Sequence, residues 1–382
     1  MGNSQTLAAT KVPAQISTFY TAETWIEGRA EDQLRDVASW PGMLAVAAFP
    51  DLHPGRYGPV GAAFLSDRIY PQLVGPDIGC GMTLYALDMP RRKIKLEKAA
   101  RRLRVLEDGA DDEDARECLE AAGLSAQFST HGFGTIGGGN HFCELQFIDS
   151  IMDDTRASAL GLSKDQLCLL VHSGSRNHGA RIFEGIDQAW RNGMDAKGEQ
   201  ALAYLRLHDE ALRWASHNRD HVADRAAAAL NCDLLHLCDS VHNCVEETEA
   251  GWLHRKGAAR PDISGLAPLA GSRESRSYLM QAIPDTPGAL RSLSHGAGRR
   301  YDRASMHGRI RKTRSGLAAM EKTRFGGQVI CEDASLLIEE AAQAYKNAGA
   351  VASDLEHFNV ARRLLSLTPL ITFKTARRGG EA

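Results

Sequence analysis

From Phe49 to Leu87 the chain reads "FPDLHPGRYGPVGAAFLSDRIYPQLVGPDIGCGMTLYAL", where glycine and proline interrupt apolar runs too short for helices. Proline removes a backbone donor and glycine opens turn conformations closed to other residues, so this punctuation dictates short strands joined by tight turns. Two later stretches repeat the theme. "GFGTIGGGNHFCELQFI" (132–148) passes from glycines into a β-rich run, and "LCLLVHSGSRNHG" (167–179) is an apolar strand that ends in a polar turn. Helical spacing lies between them. It marks 22–40, 91–120, most of 181–249 with its long periodic run at 199–230, and 333–365; 251–298 reads as β-rich and "PLITFKT" as a closing strand. With no internal repeat and no linker rich in Gly, Pro or Ser, the reading is one α+β domain over residues 1–382, its special residues at strand ends and glycine turns.

Composition narrows the classes. A 382-residue chain that is 43% hydrophobic can bury a full core without staples, and its eight cysteines show no framework spacing, so they are expected as free thiols or metal ligands. No apolar run approaches the ~18 residues that would span a bilayer. The expectation is a soluble cytoplasmic protein with no membrane partner. A net charge of -3 denies the chain the basic footprint of a typical nucleic-acid binder. Any polyanion site is therefore local, and one basic patch runs from Arg299 to Arg314, seven basic residues against the single acid Asp302.

Five short stretches set metal-ligand side chains in glycine-rich or strand-end contexts: Asp77 and Cys80 in "PDIGCGM"; Asn140, His141 and Glu144 in "GGGNHFCE"; His172 and His178 in "LVHSGSRNHG"; His242, Asn243 and Glu246 in "DSVHNCVEE"; and His295 in "SHGAGR". Carboxylate, thiolate and imidazole are the usual donors to a first-row divalent ion. A lone strand histidine is more often a core residue, and a buried cysteine a small hydrophobe. Context favours ligation here. Cys80 lies between Gly79 and Gly81, and His141 and His172 sit where apolar strand meets glycine, so backbone can approach a ligand closely. His208, His217, His221, His236, His254, His307 and His357 fall on helical or charged stretches and read as ordinary surface or core residues. The donor set itself does not choose between zinc and manganese.

Taken in order, Asp77-x-x-Cys80, Asn140-His141-Phe142-Cys143-Glu144, His172-Ser-Gly-Ser-Arg176, His242-Asn243 and His295-Gly-Ala-Gly-Arg299 resemble the motifs of the RtcB family of RNA ligases, and the resemblance extends from "FPDLHPG" to the terminal strand. It implies an α+β RtcB-like domain with mixed sheets surrounded by helices and a metal and guanylate pocket at strand ends. The implied reaction joins RNA bearing a 3'-phosphate or 2',3'-cyclic phosphate to RNA bearing a 5'-hydroxyl, with GTP and two Mn2+ ions. The metal ligands implied are Asp77, Cys80, His141, His172 and His242, with the thiolate bridging. His295 would carry the guanylate covalently. Guanylate contacts would come from Asn140, His141, Phe142, Cys143, Glu144, His242, Asn243, Ser272, Ser277, His295, Gly296, Ala297, Gly298 and Lys374, and the arginines after His295 would hold RNA phosphates.

The chain departs from the family pattern in three places. "ITFKTARRGGEA" continues past Lys374, where the family usually ends in Lys-Gly; "LAGSRES" stands for a usual Pro-Gly-Ser-Met; and "RYDRAS" follows the histidine motif. These features resemble a bacterial branch coupled to a peptide release factor homologue, which implies repair of broken RNA, ribosomal or transfer, including cleaved decoding-centre RNA. Two other readings stay open on the residues alone. One is a binuclear phosphoesterase that processes RNA ends without ligation; the other is a non-catalytic binder of RNA ends.

Overall fold

The computed structural model describes residues 12–124, 130–186 and 192–374. Its architecture is α+β. The larger sheet has eight strands in the order Leu266–Leu269, Ser277–Ala282, Ala361–Phe373, Phe142–Ile151, Gln166–Ser173, Gly81–Pro90 and Leu234–Val241, with Gln328–Ile330 pairing in parallel to the end of Ala361–Phe373. All its other pairings are antiparallel. A second sheet orders Gln15–Thr18, Met43–His53, Val60–Ser66, Gly251–Lys256 and Asn243–Thr248.

Strand alternation explains why the larger sheet is buried on both sides. Tyr85, Leu87, Cys143, Leu145, Leu169 and Val171 enter one core, while Met82, Leu84, Cys168 and Leu170 enter the core on the opposite face. Against the first face lies the helix Glu199–Leu230, which contributes Val222, Ala223, Ala226 and Leu230 to the same core. Each large side chain so buried stabilises the fold by about 1.5–3 kcal/mol. No helix among the described residues is long and apolar enough to cross a membrane.

Two helical expectations are shortened by asparagines. Within 181–249, Met194–Asp195 is a short strand, the helix Glu199–Leu230 ends at Asn231, which takes a left-handed conformation (φ 60°), and 234–248 then forms two strands. Likewise Asn359 (φ 52°) follows the helix Ala348–His357, so the final strand begins at Ala361 inside the expected helix. Asparagine tolerates this region because its short amide compensates the backbone locally.

Register positions the site. Met82 and Phe142 both pair with His172, and Gly81 pairs with Val241. Cys80 and His141, one residue before their strands, and His242, one residue after its strand, therefore meet His172 at one end of four adjacent strands. His242 is also the crossing point from the larger sheet into the smaller.

Candidate active site

At that common end the donor atoms converge. Cys80 Sγ lies 3.3 Å from His141 Nε2 and 3.2 Å from His172 Nε2; His141 Nε2 is 3.0 Å from Asp77 Oδ2, and His172 Nε2 is 3.3 Å from His242 Nε2. These contacts form two triads, Asp77–Cys80–His141 and Cys80–His172–His242, that share the Cys80 sulfur. Packing so many lone pairs together in a buried place fits a cation better than it fits neutral neighbours. Burial holds His172 and His242 well below the usual histidine range, so both imidazoles are neutral and able to ligate. Burial, reinforced by the Asp77 charge, pushes the Cys80 thiol well up, and a bound cation is what would favour the thiolate there.

The turns that present these ligands are fixed from beneath. Arg219 of the long helix, fully buried, pairs with Asp239 at 2.8 Å and donates through Nη1 to the carbonyls of Gly79 and Ser173, each at 2.9 Å. One guanidinium thus ties the Asp77–Cys80 turn to the end of the His172 strand. Arg176 packs on the other side. Its Nη1 lies 1.4 Å from where a Cβ would stand on Gly137, so only glycine admits it. Its side chain is near enough to feel the Asp77 charge.

His295 stands next to this cluster, its ring 4.5 Å from that of His242. Nδ1 lies 2.6 Å from the carbonyl oxygen of Gly257 and 2.8 Å from Asp51 Oδ2. A carbonyl only accepts, so Nδ1 carries the proton and the Nε2 lone pair is free. Asp51 is fully buried and also accepts the His295 backbone N–H at 3.2 Å. Gly298 (φ 70°) permits this approach, because a Cβ there would fall 2.2 Å from the Asp51 carbonyl oxygen.

His295 opens on a cavity of about 700 Å³ whose walls include Asn140, Phe142, Glu144, Ser272, Gly296 and Lys374. Ala297 and Gly298 also line it, as does His172 of the donor cluster. Glu144 accepts from Thr372 and Gln146; burial outweighs these bonds and raises its carboxyl to about 7. Burial lowers the Lys374 ammonium, against the pull of Glu340. In Glu340 burial works upward, but Lys374, Arg299 and Arg303 outweigh it and bring the carboxyl down to about 2.

Several residues expected at a guanylate stand elsewhere. Alternation along Phe142–Ile151 sends Phe142 and Glu144 to the cavity and Cys143 into the hydrophobic core, so the Cys143 side chain has no access to a ligand. The amide of Asn243 is committed to backbone, donating to Asp77 O at 3.2 Å and accepting from Gly257 N at 2.9 Å; it braces the two loops. Ser277 sits behind the wall, its Oγ accepting from Gly271 N at 3.0 Å and from Gln146 at 3.2 Å. Arg299 borders the cavity and is tied to Glu340, at 3.1 Å, and to the carbonyls of Tyr301 and Glu339. Arg299, Arg300 and Arg303 all line the cavity, Arg303 sharing Glu340 with Arg299 at 3.1 Å. Residues after Lys374 lie outside the described residues.

Asp51, Arg219 and Glu340 were not singled out by sequence. For Asp51 a signal existed: it is a carboxylate closing the apolar strand "MLAVAAFPDLH". Arg219 falls on the buried stripe with Ala215, Val222 and Ala226, where a charge requires a partner. Glu340 carried no such mark.

The match to known proteins spans the chain. A family model described as "tRNA-splicing ligase RtcB" matches residues 33–110 and 101–375. The chain is 39% identical over 371 residues to "RNA-splicing ligase RtcB2" of Escherichia coli, covering 94% of this chain and 96% of that protein. It is 24% identical over 463 residues to "tRNA-splicing ligase RtcB" of Archaeoglobus fulgidus (94% of each), and 25% over 430 residues to "RNA-splicing ligase RtcB" of Mycobacterium tuberculosis (88% and 99%). With the shared-sulfur donor cluster beside a histidine-lined cavity, these matches over nearly the full length establish that the chain belongs to the RtcB family of RNA ligases.

Proposed function

We propose that this protein joins RNA ending in a 3'-phosphate, or in a 2',3'-cyclic phosphate once hydrolysed open, to RNA beginning with a 5'-hydroxyl, using GTP and a histidyl-GMP intermediate on His295. The observation that carries the reading is the orientation of His295: Nδ1 is held by Gly257 and Asp51, and Nε2 is left free at a cavity wall beside the donor cluster.

His295 Nε2 attacks the α-phosphorus of GTP, a P–N bond forms, and the bond to the departing pyrophosphate breaks. The ring gains positive charge in this step. Asp51 offsets it through Nδ1, as a carboxylate does for any imidazole whose second nitrogen reacts. An oxygen of the RNA 3'-phosphate then displaces Nε2 and leaves the RNA capped by GMP. Attack of the 5'-hydroxyl on the RNA phosphorus completes the junction and expels GMP. Asp77, Cys80 and His141 would hold one divalent ion and Cys80, His172 and His242 a second. When bound, they supply Lewis-acid stabilisation of phosphate charge. Manganese is the ion the family resemblance implies. Glu144, a buried acceptor on the cavity wall, suits the N–H edge of guanine; Asn140, Phe142, Ser272, Gly296 to Gly298 and Lys374 complete the guanylate contacts.

Repair of broken ribosomal or transfer RNA in the cytoplasm, with a functional link to a peptide release factor homologue, is the biological setting. It is supported by the chain's departures from the common family motifs and by its higher identity to the Escherichia coli relative than to the archaeal and mycobacterial ones. A nicked stem-loop with 3'-phosphate and 5'-hydroxyl termini, incubated with GTP and Mn2+, tests the reaction. A joined strand is expected. Phosphate release without joining would favour a binuclear phosphoesterase, and no change in either strand a non-catalytic binder.

A further inference from the structure

A third group of donors lies on the far side of the long helix from the shared-sulfur cluster. Asp114 and Cys118 are one turn apart on the helix Asp112–Ala121, and His221 faces them from Glu199–Leu230. Cys118 Sγ is 3.7 Å from Asp114 Oδ1 and 3.8 Å from His221 Nδ1, while His221 Nε2 is 3.4 Å from Asp114 Oδ2. One donor atom from each residue lies within 4.8 Å of the others. A tetrahedral ion with bonds of about 2.0–2.3 Å separates its ligand atoms by roughly 3.3–3.7 Å, so the set closes once the His221 ring turns a single nitrogen toward both Asp114 and Cys118.

Two further observations distinguish this group from a chance ion pair. The His221 ring is wedged between the Phe133 ring, 5.0 Å away, and the Gly134 backbone, and its buried Nε2 makes no hydrogen bond, the 3.4 Å approach to Asp114 Oδ2 being its one polar contact among the described residues. The local charge also favours a cation. Glu117 and Asp224 add negative charge around the Cys118 thiol, and Asp220 adds more beside Asp224. The neighbouring cation, Arg225, turns its guanidinium to the carbonyls of Val105, Asp108 and Gly134.

We infer that Asp114, Cys118 and His221 form a second, structural metal site, separate from the Cys80 cluster, that takes a thiolate-preferring divalent ion of the zinc class. A thiolate, an imidazole and a carboxylate from two helices match zinc's ligand types, with a water available as fourth ligand. The ion pins the helix Asp112–Ala121 to the long helix. The ion would therefore act on how firmly these two helices pack, not on the groups that meet GTP.

Counting bound zinc in the full-length protein tests this. After loading with zinc and dialysis, wild type is expected to retain one equivalent more than Cys118→Ser and His221→Gln. Loaded instead with cobalt, wild type should show thiolate-to-cobalt absorption that Cys118→Ser diminishes and Cys80→Ala leaves in part. GTP labelling of Cys118→Ser should match wild type, which separates this site from the catalytic one. Should His221→Gln not fold, Asp114→Asn alters an exposed side chain and should likewise lose zinc on dialysis. Equal zinc content in wild type and the folded variants would overturn the site.

Discussion

The Asp51 carboxylate stands 2.8 Å from Nδ1 of His295, at a junction between two strands that are 244 residues apart in sequence. Gly257 fixes the same nitrogen from its carbonyl, so Asp51 is not required for the tautomer; in the proposed reaction its contribution would be the charge that balances the ring once Nε2 has bonded to phosphorus. Asp51→Asn keeps the shape and removes that charge. The guanylylation rate should fall at least about 100-fold in a single-turnover [α-32P]GTP assay, with GTP affinity little changed.

Cys80 is the atom common to both donor triads, so its loss should affect two ions at once. Cys80→Ala is expected to reduce manganese retained after gel filtration and to slow joining by at least about 100-fold, whereas His141→Ala and His242→Ala each reach one triad only. Elemental analysis with a joining assay checks this.

Arg219 holds Gly79 and Ser173 from a fully buried position. Replacing it with Met leaves Asp239 without its partner and both turns without their tie, a change expected to cost about 3–5 kcal/mol. Urea denaturation should register the loss. Arg219→Lys should not restore stability, since an ammonium cannot span the carboxylate and two carbonyls together.

Glu340 supplies a pH test. Its carboxyl is near 2 in the folded chain against an ordinary 4.5, so the folded state binds the proton less readily than the unfolded one. The resulting stability is fully present above pH 4.5 and is lost as pH falls from 4.5 through 2, amounting to roughly 3 kcal/mol. Glu340→Gln should flatten the stability-versus-pH curve in that window relative to wild type, as measured by chemical denaturation.

Much of the site was legible because its donors sit where glycine meets apolar strand, and that junction is a local pattern. Cys80, His141 and His172 carry it, whereas His242, in "DSVHNCVEE", has no glycine beside it. Their adjacency depends on strand order and register, which link residues up to 162 positions apart and leave no local trace. The same limit hid Arg219, whose partners lie on other elements, and the pairing of Arg299 with Glu340. A motif in sequence is a block, while strand geometry sends alternate side chains to opposite faces, which is why the Cys143 side chain lies in the core. The strands at 234–248 were missed because Asn231, a helix terminator only when left-handed, looks like any other polar residue in sequence.

Intact-mass spectrometry of the protein after incubation with GTP and Mn2+ tests the central claim most directly. The account predicts a single added GMP that is absent from His295→Ala and located on His295 by peptide mapping. No added mass in wild type, or the same addition in His295→Ala, would contradict it.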